Sequence, residues 1–128
     1  MNYGYTKKVT CSFKDAHERV IDALKDEGFG VLTEINVKET LKEKIGVDFD
    51  EYLILGACNP TLAHKALQAE REIGLLLPCN VIVYEKDGGV FVSSILPTVS
   101  MKEVQNNDLE QTAVTVEAKL KTVIDSVE

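Results

Sequence analysis

Cys79-Asn80-Val81-Ile82-Val83-Tyr84-Glu85-Lys86-Asp87-Gly88-Gly89-Val90-Phe91-Val92-Ser93-Ser94-Ile95 is the stretch whose reading decides the fold. Cys79 to Glu85 and Val90 to Ile95 read as two strands rich in β-branched residues. The connection Lys86-Asp87-Gly88-Gly89 carries an Asp-Gly pair, which accepts the backbone angles of a tight hairpin turn. A hairpin makes the two strands antiparallel neighbours, and the rest of the chain has to be arranged around that pair.

Upstream, Glu51 to Cys58 predicts another strand, rich in Leu, Ile and Tyr. Asn59-Pro60 then starts a helix, because Asn caps with its side-chain oxygen and Pro at the first helical position already has the required φ. This helix runs to about Ala69, with Leu62, Ala63, Ala66 and Leu67 as its inner stripe. Phe29 to Val37 alternates as a half-buried strand, with Val31, Thr33, Ile35 and Val37 on one side. A short helix containing Leu41 and Ile45 follows it and ends at Gly46.

At the start of the chain, Tyr3 to Cys11 reads as a first strand. Ser12 caps a helix with Asp15 three residues on, and Ala16, Val20, Ala23 and Leu24 share one helical face before the stop at Gly28. The last helix starts near Asn107 and sets Leu109, Ala113, Val116, Leu120, Val123 and Val127 in one apolar stripe. The element order predicts a single α+β domain over 1–128, an antiparallel sheet of about five strands with helices packed on one face.

Composition bounds the function. A chain of 128 residues, 45% hydrophobic and 27% charged, suits one globular core. Its net charge of −7 argues against a nucleic-acid partner, since such binding needs Lys and Arg against phosphates, and disfavours anionic membrane surfaces. No window approaches a membrane span, and Met1 to Lys8 lacks the apolar stretch of a secretory signal, so the expected location is the cytoplasm. Three cysteines, an odd number, fit a reducing compartment better than a disulfide framework.

The candidate site rests on two Cys-Asn dipeptides, Cys58-Asn59 and Cys79-Asn80. If their strands are antiparallel neighbours, both thiols lie at one edge of the sheet and the 20 intervening residues cross over and return. A parallel crossover would put them at opposite ends. Cys58 immediately precedes a helix cap, where free N–H groups favour an anion and therefore a thiolate. Asn59 and Asn80 would offer amide donors to a bound anion, carbonyl or thiolate. Cys58, Cys79 and His64 are the types of ligand used for zinc or copper, but their spacing is not diagnostic.

Each of these residues also has a plain structural reading. Free cysteine packs as a small hydrophobe, Asn59 and Pro60 are accounted for as cap and first helical residue, and His64 lies about 200° around the helix from Leu62, toward solvent. Cys11 and His17 flank the first helix start and are expected to be structural or exposed. Neither a Ser-His-Asp arrangement nor a phosphate-cradling glycine loop can be assembled.

Four segments, Gly28-Phe29-Gly30-Val31-Leu32-Thr33-Glu34-Ile35, Thr40-Leu41-Lys42-Glu43-Lys44, Gly56-Ala57-Cys58-Asn59-Pro60 and Gly74-Leu75-Leu76-Leu77-Pro78-Cys79-Asn80-Val81, resemble the bacterial and archaeal family called domain of unknown function 302. The resemblance implies a compact α+β fold similar to the half-domain of TATA-box-binding proteins, and a homodimer. It implies no activity, and the fold likeness carries no DNA-binding inference for an acidic chain.

Three functions stay open on the sequence. One is a homodimeric module for a small ligand or a protein partner, with Cys58, Asn59, Cys79 and Asn80 at the site. Another is a thiol centre for soft metal, redox or sulfur handling, and the last is an enzyme using the Asn59 and Asn80 amides as electrophilic stabilisers.

Overall fold

The structure is a computed structural model that describes residues 2–128. Five strands, β1 (Gly4–Val9), β2 (Gly30–Asn36), β3 (Tyr52–Cys58), β4 (Cys79–Lys86) and β5 (Gly89–Ile95), form one sheet in the order β1-β5-β4-β3-β2 with every neighbouring pair antiparallel. Among the described residues five α-helices, α1 (Phe13–Asp26), α2 (Val37–Ile45), α3 (Pro60–Ala69), the short α4 (Pro97–Ser100) and α5 (Asn107–Ser126), connect and cover them, with 3-10 turns at Arg71–Leu76 and Lys102–Val104. The fold is α+β, as the sequence predicts.

The β4–β5 hairpin closes through Asp87 and Gly88 alone, with φ of 51° and 79°. Two central residues at positive φ match the right-handed twist of the strands they join, which is why Asp-Gly is favoured there. Lys86 and Gly89, expected in the turn, are instead paired strand residues.

Caps fix where the helices begin. Ser12, Asn36 and Asn59 each accept a hydrogen bond on the side-chain oxygen from the backbone N–H three residues on, at 3.1, 3.0 and 3.2 Å. α5 starts at Asn107, as expected, and its cap is Asn106, accepting from Asp108 N and Leu109 N. Its Nδ2 also donates to the Ala69 carbonyl at 2.8 Å, which ties the start of α5 to the end of α3.

Alternation along the strands gives the sheet two faces. Leu53, Leu55, Ala57, Cys79, Val81, Val83, Val90 and Val92 point inward, where Ala16, Val20 and Leu24 of α1 and Leu120, Val123 and Ile124 of α5 cover them to form the main core. A smaller core gathers Ala66, Ile73 and Leu109 with Ala69, Leu77, Met101 and Val104, joining α3, α5 and the turns on either side.

Two expectations need correction. β1 ends at Val9 rather than Cys11, whose N–H instead meets the Glu128 carbonyl at the end of the chain, 3.3 Å away. The alternation expected from Val31 to Val37 breaks at a bulge between Val31 and Thr33, and Val37 already belongs to α2. A bulge adds a residue that no partner opposes, and here it leaves Leu32 67% exposed. Among the described residues, no helix is long and apolar enough to cross a membrane.

Candidate functional site

Antiparallel pairing of β3 with β4 brings Ala57 opposite Cys79. Cys58 follows Ala57 and Asn59 caps α3, so both thiols come to one end of the sheet, as the antiparallel alternative requires. Cys58 lies one register step beyond the Ala57–Cys79 pair and on the opposite parity. The two thiols are therefore neighbours without being a cross-strand pair, and both are free.

These residues form part of the wall of a cavity of about 300 Å³ at the seam between the main and smaller cores. Its origin lies in side-chain size. Ala57 on β3, Ala63 and Ala66 on α3 and Ala113 on α5 face the same space, and four alanines cannot fill what larger side chains would. Phe29, Leu77 and Leu109 close its other sides. Leu32 and Leu67 also line it while remaining 67% and 38% exposed, so the cavity meets solvent beside them.

The cavity is electrically quiet. Among the described residues that line it none is charged, and its two side chains with conventional polar groups are used locally. Asn59 accepts from Leu62 N at 3.2 Å and its Nδ2 donates to the Glu27 carbonyl at 3.5 Å, while Thr112 Oγ1 donates to the Asp108 carbonyl at 3.4 Å. Burial above all, with the neighbouring Cys58 acting in the same direction, pushes the Cys79 thiol from 9.0 up to about 11. At neutral pH Cys79 is a protonated thiol packed as a small apolar group.

The other candidates stand elsewhere. Asn80 is exposed, and its pairing with Gly56 puts it on the face of the sheet opposite Cys79. His64 is exposed on α3 and does not line the cavity. Among the described residues no group of three or more His, Cys, Asp or Glu side chains is placed to hold a metal ion. His17 Nε2 sits 2.5 Å from the Glu34 carboxylate, linking α1 to the edge strand β2.

A second feature, not anticipated from the sequence, is the outer face of the sheet. Tyr84 stacks between Tyr52 and Phe91 with ring centroids 5.4 and 5.2 Å apart, and Phe49 extends the row at 6.1 Å from Tyr52. By register, Ile54, Ile82 and Ile35 continue this surface, with Lys8 and Lys86 as its charged members and no carboxylate on its strand positions. Ile82 and Tyr84 alternate with Val81 and Val83, so β4 is apolar on both sides. That two-sided pattern was the available signal.

No curated protein matches this chain. Among solved structures, the crystal structure of an uncharacterised conserved DUF302 protein from Bacillus stearothermophilus is similar over 100% of both chains, at 32% sequence identity and a TM-score of 0.94. The family model described as domain of unknown function DUF302 matches residues 5–127. With its motifs, its fold and nearly its whole length in agreement, the chain belongs to the DUF302 family.

Proposed function

We propose that this DUF302 protein is a homodimeric small-ligand-binding module whose site is the cavity between β3, β4, α3 and α5. The observation that carries the reading is the cavity itself, a preformed concave space at the low end of the size range of small-molecule sites. Cys58 and Asn59 belong to its wall and Cys79 to its apolar lining. The raised thiol of Cys79 favours this role over thiol chemistry, because the thiolate is the nucleophile and the metal ligand.

The uncovered sheet face supports the dimer. Five strands about 4.8 Å apart and seven residues at about 3.3 Å give a projected area of roughly 550 Å² per copy. Two copies face to face would bury about 1,100 Å², just above the threshold for a specific interface. With Lys8 and Lys86 as the charged strand positions of this face, two copies would meet on it without opposing carboxylates.

Thermal denaturation with a panel of small neutral and charged fragments tests the binding role, using the wild type and Ala113→Phe, which fills the cavity. A ligand that binds only the folded state raises its stability. The expected result is stabilisation by a subset of fragments that disappears in Ala113→Phe, with Ala63→Phe as a second filled variant. Stabilisation by no fragment, or equal stabilisation of filled and unfilled proteins, would contradict the reading.

A further inference from the structure

We infer that the cavity selects a neutral, apolar molecule about the size of two fused aromatic rings and rejects carboxylates, phosphates and ammonium groups. The inference rests on the cavity being the ligand site, and it adds the chemical class. Size comes first: a dry apolar cavity of about 150 Å³ holds benzene, and this one is about 300 Å³. Its space matches a bicyclic arene or a hydrocarbon chain of similar bulk.

Charge decides the rest. An ion moved from water into such a site must find a counter-charge or several hydrogen bonds there. Among the described residues, the lining holds no Lys, Arg, His, Asp or Glu. Asn59 and Thr112 are engaged with Leu62, Glu27 and Asp108, so they have little left to offer a ligand. Cys79 is buried as a neutral thiol, and Cys58 is only half-buried near the end of its strand.

The entrance has the same character as the interior. Leu32, released to solvent by the β2 bulge, and Leu67 of α3, itself partly exposed, both line the cavity. An apolar molecule passing between them exchanges water for hydrocarbon from first contact to final seat. A charged molecule meets no attracting side chain in the lining along that route.

Calorimetric and fluorescence titrations with naphthalene, 2-naphthoate and 2-naphthylmethylammonium separate the possibilities, because the three share one ring system and differ in charge. Naphthalene is expected to bind at least about tenfold more tightly than either ion, and Ala113→Phe and Ala63→Phe are each expected to remove its binding. Equal or tighter binding of an ion, lost in the filled variants, would overturn the neutral-ligand inference while leaving the cavity as the site. Saturable binding of none of the three in the wild type would overturn this inference, and the fragment panel then decides separately whether the cavity takes any ligand at all.

Discussion

Cys79→Ala should change how the protein responds to alkali. In the folded chain, burial raises this thiol from 9.0 to about 11. Below pH 9 the thiol is protonated in both folded and unfolded chains, and stability is independent of its titration. Between pH 9 and about 11 the unfolded chain loses the proton and the folded chain keeps it, so stability falls as pH rises. At about 1.4 kcal/mol for each pH unit between the two values, the loss reaches about 3 kcal/mol and then levels off. Cys79 is only 7% exposed, so solvent screening removes little of it.

The assay is urea unfolding followed by far-ultraviolet circular dichroism at pH 8, 9, 10 and 11, on wild type and Cys79→Ala. Lysine and tyrosine titrations occur in both proteins and cancel in the difference, which should move by about 2 to 3 kcal/mol in favour of the variant. The same burial makes Cys79 react with iodoacetamide at pH 8 roughly a hundredfold more slowly than a thiol at the ordinary value. A stability difference that stays flat from pH 8 to 11, together with an ordinary alkylation rate, would refute the argument.

Other perturbations follow from the same geometry. Gly56→Ala places a Cβ against Thr33 Oγ1 and 2.8 Å from Pro78 Cγ; a loss of about 1–3 kcal/mol is expected in urea unfolding. Asn106→Ala removes both the α5 cap and the bond to Ala69, and should cost about 2 kcal/mol and weaken naphthalene binding by loosening α3 against α5. Tyr84→Asp puts a charge at the centre of the aromatic row. Sedimentation velocity should show it converting a wild-type dimer to a monomer without loss of helical signal.

The local chemistry of the fold was legible in the sequence. Asp87-Gly88 specified the hairpin, Asn59-Pro60 the start of α3, and Gly46 the end of α2, because each acts through the backbone within a few residues. Features that depend on distant partners were not. Ala63, Ala66 and Ala113 read as ordinary inner positions of their helices, and the space between them and Ala57 exists only once β3, α3 and α5 are packed together. The bulge that frees Leu32 arises from pairing with β3 and leaves little trace in the alternation of β2.

The candidate site divides in the same way. Cys58 and Cys79 converge because β3 and β4 pair in the expected direction. Asn80 is lost from the cavity by the one-residue alternation that turns neighbouring strand side chains to opposite faces. His64 is lost because its helical angle turns it to solvent, as its spacing from Leu62 indicated.

The most direct test of the ligand site is a titration of isotopically labelled protein with naphthalene, followed by two-dimensional amide NMR. Saturable shifts are expected to concentrate at Phe29, Ala57, Ala66, Cys79, Leu109 and Ala113, with Ile54, Tyr84 and Phe91 on the opposite sheet face unmoved. Shifts confined to that outer face, or no shift up to the solubility limit of naphthalene, would contradict the assignment of the cavity as the site.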